Sequence, residues 1–409
     1  MYELISGCRS CGSSDLEPIL SFGEMPLADR LVEPGAPTES DPRYPLDVVF
    51  CGGCALVQLR QTVSPEVLFD ETYVYLSSFS DELLRHSRAH AERLVSAQRL
   101  GADSLVLELA SNDGYMLRNF VEWGVPVLGF EPAPAPADAA EAAGITTRRE
   151  FFGKDVATRL RADGVAADVV LANNVLAHVP DLNGVVAGIA TVLNDAGIAT
   201  IEAPYVRDLI DRCEFDTIYH EHLCYFSVSA VEPLFRRHGL SLNHVEHLPI
   251  HGGSLRYYVG RVADVHDSVR GFLQEEQRLG LDSIEYYREF GARVRRTQKE
   301  LLRLLQGLKA DGKRIAAYGA AAKGAIMLNA SRINGDLIDF VVDRNVQKQG
   351  RFMPGVHIPI HDPKALIDDA PDYTLLLAWN FKDEIMAQQE DYRRKGGRFI
   401  VPVPQPSVV

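Results

Sequence analysis

Nowhere in the chain do apolar residues run on for the roughly 20 positions that a membrane-spanning helix needs. The first residues, MYELISGCRS, show no basic segment followed by an apolar run, so no secretory signal is expected and the protein reads as cytoplasmic. A basic excess is missing too. The formal net charge is −14, whereas a groove for nucleic-acid phosphates wants a basic stripe, so no nucleic-acid partner is expected. Cysteines number only six in 409 residues, and in a reducing compartment they are free or metal-bound rather than paired. With 46% hydrophobic and 24% charged residues, what remains is an ordinary globular protein of two or three domains.

Three regions separate by pattern, with boundaries expected at 1–70, 71–265 and 266–409. The first carries four of the six cysteines and many prolines, and is too short to build much core without a staple. A helix is expected over 80–100. From Asp103 onward, apolar runs (SLVLEL, VPVLGF, ADVVLAN, AGIATIEA) alternate with helical runs near 114–122, 136–143, 154–162 and 182–193. Such alternation predicts a doubly wound α/β sheet of parallel strands with crossover helices. LSLNHVEHL and GSLRYYVGRV add a hairpin at one edge. Residues 268–310 read as a charge-rich helical linker, and KRIAAYGAAAKG opens a second, smaller α/β unit.

Cys8 and Cys11 form one C-x-x-C, and Cys51 and Cys54 another, each beside small residues. Two such turns make a tetrahedral four-thiolate site with no open position, hence a structural Zn²⁺. Two redox or disulfide pairs are the alternative. Cys213 and Cys224 read as ordinary small residues.

The first strand of the middle region ends as LVLELASNDGYML, a sharp small-residue turn that lets backbone approach a nucleoside cofactor. Glu108 stands where the dinucleotide pattern has its first glycine, so there is no pyrophosphate cradle. An acid at this turn, with Ala110, Asn112 and Asp113, suits a cofactor with a cationic end. Glu131 closes the second strand, where a carboxylate can bind two ribose hydroxyls. Asn173 and Asn174 close the fourth, where the strand order reverses and ligands collect. Solvated strand-end acids are the bland alternative.

The densest chemical cluster is EFDTIYHEHLCYFS. In an extended segment Tyr219 and Glu221 would share one side, and His220 and His222 the other. With His178, these residues can provide a general base and donors for an enolate oxygen. A hydrogen-bonded structural loop or a metal site at His220, Glu221 and His222 are the alternatives, although the H-E-x-x-H spacing is lacking.

Taken in order, these pieces resemble the sugar C-methyltransferases of antibiotic deoxysugar pathways, the group that forms tetronitrose and mycarose. The resemblance runs nearly end to end. It covers both C-x-x-C pairs, MPLADR (25–30), TYVYLSS (72–78), ELASNDG (108–114), GFEP (129–132) and EFFG (150–153). It continues through NNVLAHVPD (173–181), FDTIYHEH (215–222), HGGSLRYYV (251–259), YGAAAKG (318–324) and PGVHIPI (354–360). It implies a zinc-binding module, a class I S-adenosylmethionine methyltransferase domain of Rossmann-like fold, and a C-terminal α/β domain. A dTDP-linked keto-deoxysugar would lie between the last two. Carried over, His222 is the base, with Tyr219, Glu221, His178 and Tyr73 around the sugar and Tyr75 and Ser78 in the same substrate segment. Phe151 and Phe152 would lie beside the adenine. Some relatives have Phe at the position of Tyr219 and Asp at that of His220, so Tyr219 is not essential to the family chemistry. Lys323 and Lys348 are candidate charges for the diphosphate. The expected reaction is methylation at C-3′ beside a C-4′ ketone. C-5′ methylation, an O- or N-methyltransferase, and a non-catalytic sugar-nucleotide binder are the alternatives. The sugar's identity, its amino group and the oligomeric state stay open.

Overall fold

The computed structural model describes residues 2–36, 41–69 and 75–409. Its first sheet is antiparallel and built from Leu16–Pro26, Arg43–Cys51 and Val57–Leu59. A fourth strand, Cys224–Tyr225, arrives from far along the chain and pairs with Gln58 and Val57. The cysteine module is thus laced into the middle of the protein rather than appended to it.

The central sheet has seven strands among the described residues. They are β1 (Val106–Leu109), β2 (Val127–Phe130), β3 (Thr147–Arg148), β4 (Ala167–Asn173), β5 (Leu193–Pro204), β6 (Ser241–Leu248) and β7 (Ser254–Gly260). Their order is β6-β7-β5-β4-β1-β2-β3. The strands β1 to β5 run parallel, and β7 is antiparallel to both its neighbours. β1, buried along its whole length, is apolar but for Glu108, as expected where helices cover both faces of a parallel sheet. The sheet order reverses between β1 and β4, and this is where a crevice opens.

Helix α1 (Asp81–Gln98) leads into this sheet, and its first turn is capped by Ser80, whose hydroxyl accepts from the Leu83 amide at 3.2 Å. The charge-rich stretch after β7 is helical but not continuous. Helix α2 (Asp267–Leu279) stops at Gly280, which takes the left-handed conformation at φ 80°, and α3 (Phe290–Ala310) begins afresh.

The last sheet contains β8 (Ile315–Tyr318), β9 (Val341–Val342), β10 (Ile360–His361), β11 (Tyr373–Leu376), β12 (Arg398–Val401) and β13 (Ser407–Val408), in the order β10-β9-β8-β11-β12-β13. Helix α4 (Ala322–Ala330) follows β8. One buried apolar cluster runs through the three larger sheets, taking in Phe50, Val170, Ile201, Leu375 and Ile400. No helix of the described residues is long and apolar enough to cross a membrane.

Candidate active site

The sulfurs of Cys8, Cys11, Cys51 and Cys54 all lie within 4.8 Å of one another. Cys8 and Cys54 are 3.5 Å apart, and Cys11 and Cys51 are 3.6 Å apart. A disulfide needs about 2.05 Å. A tetrahedral zinc with bonds of about 2.3 Å sets its sulfurs roughly 3.8 Å apart. The arrangement fits one zinc and excludes two disulfides. The glycines beside the cysteines are needed for it: a Cβ on Gly52 would lie 2.1 Å from the Asp15 carboxylate, and one on Gly53 3.3 Å from the Cys11 sulfur. Asn183 fastens the knuckle to the central domain by donating to the Arg9 and Ser10 carbonyls at 2.9 Å each.

The turn after β1 is unusually tight. Ala110, Asn112 and Gly114 have φ of 47°, 50° and 74°, a conformation that an L-residue adopts only when its surroundings hold it. The Asn112 amide donates to Glu131 at 3.0 Å and the Ala133 amide donates to its other oxygen at 2.8 Å. Burial raises Glu131 to about 7, the two amides opposing the rise. Each oxygen keeps a second lone pair for a ribose hydroxyl. Asn112 and Asp113 do something that spacing did not suggest. Asn112 accepts from the Ser77 amide at 2.8 Å and donates to the Tyr75 carbonyl at 3.2 Å, and Asp113 accepts from the Ser78 amide at 3.1 Å. They latch the segment before α1 against the cofactor turn, which brings Tyr75 and Ser78 there by their main chain. Tyr73 lies outside the described residues.

Three buried acceptors at this crevice lack a hydrogen-bond partner: Glu108 Oε2, Asp113 Oδ1 and Asn173 Oδ1. Glu108 is 1% exposed, and burial, with Asp113 and Glu131 nearby, holds its carboxyl well above the usual range. A pocket short of donors fits a ligand that brings an ammonium and ribose hydroxyls. Asn174, at φ 56°, donates its amide to the Glu202 carbonyl at 2.8 Å and so shapes the end of β4. Of the two phenylalanines, Phe152 packs edge-on to Phe130 with ring centres 5.3 Å apart, while Phe151 is 47% exposed.

The 219–222 segment is a turn, not an extended strand, and this corrects the expected alternation of faces. The His222 amide donates to the Tyr219 carbonyl at 2.9 Å, so residues 219 and 222 meet. Their rings lie 4.0 Å apart, and the Tyr219 hydroxyl is 2.8 Å from His222 Nε2. His222 Nδ1 is 2.8 Å from the Thr217 carbonyl, which can only accept. In the neutral ring Nδ1 therefore carries the proton, Nε2 is the basic nitrogen, and Tyr219 donates to it. Burial, with His178 adding to the effect, lowers His222 well below the ordinary histidine value; Thr217 opposes this and Lys323 and His251 reinforce it. The His178 ring stands 4.8 Å from that of His222, its Nδ1 is buried without a partner, and burial lowers it to about 4.

His220 points elsewhere. It is 2% exposed, and its Nε2 donates to the Tyr44 and Pro45 carbonyls of the cysteine module, both at 3.2 Å. It is a strut, and with it the metal alternative at 220–222 falls. Glu221, raised by burial and by Asp29, faces Asp29 and Lys348 rather than the imidazole.

Both lysines depart from the expected diphosphate role, because each ammonium already faces two carboxyl groups. Lys348 donates to the Ala320 carbonyl at 2.8 Å and sits among Asp29 and Glu221. Lys323 donates to Asn380 at 2.8 Å, lies 4.7 Å over the Trp379 ring, and interacts with Asp216 and Glu214. Glu214, Asp216, Trp379 and Asn380 were not singled out from sequence. Glu214 is raised to about 8 and Asp216 to about 6, burial dominating in both and Lys323 opposing it.

Comparison with known proteins agrees with this layout. The chain is 36% identical over 408 residues to the C-methyltransferase NovU of Streptomyces niveus, covering 99% of this chain and 97% of that one. The chain belongs to the C-methyltransferase family. Three family profiles match along the methyltransferase: "Putative zinc binding domain" at 8–69, "Methyltransferase domain" at 82–245 and "C-methyltransferase C-terminal domain" at 249–404. Among solved structures, it is similar to the magnesium protoporphyrin IX methyltransferase of Synechocystis PCC 6803 with bound SAM. That match has 13% identity, a TM-score of 0.35, and covers 44% of this chain and 79% of that one. A possible histamine N-methyltransferase of Thermotoga maritima matches with 13% identity, a TM-score of 0.34 and coverage of 44% and 94%. The cofactors of this methyltransferase are S-adenosylmethionine and a zinc for the four-cysteine knuckle.

Proposed function

We propose that the enzyme methylates C-3′ of a dTDP-linked 4-keto-deoxysugar, with His222 as the base. The observation that carries this reading is the tautomer of His222. Its Nδ1–H is committed to the Thr217 carbonyl, so Nε2 presents a lone pair in a buried crevice. S-Adenosylmethionine, when bound, supplies an electrophilic methyl group, so the protein has to make a carbon nucleophile and align it. Carbon beside a ketone becomes nucleophilic on losing its proton. That proton passes to His222 Nε2, and the electron pair of the broken C–H bond spreads onto the ketone oxygen. The arriving substrate displaces the Tyr219 hydroxyl from Nε2, and the freed O–H then serves as a donor to that oxygen. His178, with an unpartnered ring nitrogen beside His222, lies close enough to share this task.

Glu108, Glu131, Asn173 and Asn174 bind and orient the cofactor in this reading, and Phe152 excludes water beside its base. Tyr75 and Ser78, latched to the cofactor turn by their main chain, lie beside the substrate in this reading. In this reading the sugar nucleotide lies between the central domain and the C-terminal unit, near Glu221 and Lys348 on one side and Lys323 on the other. The test is incubation with methyl-labelled cofactor and a panel of dTDP-linked keto-sugars, followed by locating the label. Label on a ring carbon next to the ketone is expected. Label on oxygen or nitrogen would refute the carbon-nucleophile reading, and label at C-5′ would move the reaction to the other side of the ketone.

A further inference from the structure

The central domain and the C-terminal unit meet at the turn that holds the imidazole. Trp379 Nε1 donates to Asp216 Oδ2 at 2.7 Å. Asp216 is fully buried and directly precedes Thr217, the residue whose carbonyl accepts from His222 Nδ1 at 2.8 Å. The turn is closed by Thr217, which donates to the Glu214 carbonyl through its hydroxyl at 2.7 Å and its amide at 3.1 Å. Asp216 Oδ1 is buried without a partner, so the carboxyl's position depends on the indole. The indole is itself held: Lys323 stacks on its face at 4.7 Å and bonds the neighbouring Asn380 at 2.8 Å.

We propose that Trp379 is a positioning residue for His222, its indole N–H pinning Asp216 and thereby the Thr217 carbonyl that selects the base-competent tautomer. The C-terminal unit then acts in proton abstraction as well as in holding substrate. This rests on His222 being the base. A freed imidazole can turn its Nδ1–H away from Thr217, and Nε2 is then no longer kept as the acceptor. The groups that face the imidazole are Tyr219, His178, His251 and Lys323, and of these only Lys323 has no acceptor to offer in place of the Thr217 carbonyl.

Trp379→Phe keeps the ring under Lys323 and removes only the donor. The expected result is a fall in kcat of about tenfold to a hundredfold, the range for losing a hydrogen bond to a charged group. KM for both substrates should stay within about twofold, which a positioning role allows and a binding role does not. Solvent deuterium exchange at the sugar carbon should fall by the same factor as kcat, and the acid limb of kcat/KM should move further down, away from the ordinary histidine value, because the Thr217 carbonyl is what opposes the lowering by burial. Wild-type exchange and an unmoved acid limb would overturn the proposal, as would a loss confined to KM. Asp216→Asn retains an acceptor for the indole and should keep most activity, whereas Asp216→Ala should behave like Trp379→Phe. Equal activity in those two variants would also overturn it, and this pair decides the point if Trp379→Phe does not fold. His222→Asn separates the two levels of the argument. Exchange persisting in His222→Asn removes the base itself. Exchange abolished there but normal in Trp379→Phe removes only the positioning role.

Discussion

Stripping the zinc should damage catalysis while leaving the cofactor site standing. The knuckle belongs to a different sheet from Glu108, yet its module reaches the 219–222 turn from both sides. On one side His220 Nε2 donates to the Tyr44 and Pro45 carbonyls, both at 3.2 Å. On the other, the Leu59 amide donates to the Leu223 carbonyl at 2.9 Å and Cys224–Tyr225 forms a ladder with Gln58 and Val57. Without metal, a module this small has too little core to stay folded, since structural zinc contributes on the order of 10 kcal/mol or more to such folds. Losing about three of these bonds, at about 1 kcal/mol each, releases roughly 3 kcal/mol of restraint on the turn. That corresponds to a fall in kcat of roughly a hundredfold. Cys51→Ser and chelator-treated protein should both show it in a methyl-transfer assay. Cofactor affinity, measured by calorimetry, should change less than about threefold, because the orphaned acceptors belong to a different sheet. Metal-free protein, verified by metal analysis, that retained full kcat would refute the link from knuckle to catalytic turn.

Other outcomes follow from the same geometry. Glu108→Gln should weaken cofactor binding by at least about tenfold while raising the melting temperature of the cofactor-free protein. The folded pKa of Glu108 is raised, so its carboxyl destabilises the fold increasingly as pH rises; the gain from Glu108→Gln should be larger at pH 8 than at pH 5. Arg256, fully buried, donates to Glu202 at 2.7 Å, and Arg256→Ala should cost about 3–5 kcal/mol in urea denaturation by stranding that carboxylate. Burial alone would raise Glu202, but His86 and Arg256 overcome it and pull the group to about 2. Its stabilising share is therefore present above the ordinary glutamate pKa and lost as pH falls toward about 2, which acid titration of the fold would show. His222 is depressed well below 6.5, so kcat/KM should stay flat between pH 8 and pH 6.5 and decline only below that; a decline centred at about 6.5 would show an unburied imidazole.

Features that depend on local spacing were legible in the sequence. The two C-x-x-C pairs announce their chemistry because each turn alone aims two thiolates at one centre. The positions of Glu108 and Glu131 near strand ends were legible because those ends are set by short apolar runs. The contact between Tyr219 and His222 was not, since an extended segment would separate them and only the turn brings them together. Asn112 and Asp113 were placed at the right turn but bind its neighbouring segment. Lys323 and Lys348 read as candidate charges for a diphosphate because the carboxyl groups that each faces lie on other elements. The pair Asp216 and Trp379 is 163 positions apart, and no period or motif could have joined them.

The claim underneath all of this is that His222 removes a proton from carbon. It is tested most directly by incubating the enzyme in deuterium oxide with the keto-sugar nucleotide and S-adenosylhomocysteine, so that no methyl can be transferred, and following the sugar C–H by NMR. Wild-type enzyme should wash deuterium into the carbon beside the ketone, and His222→Asn should not. Exchange at equal rates in the two proteins would contradict the account.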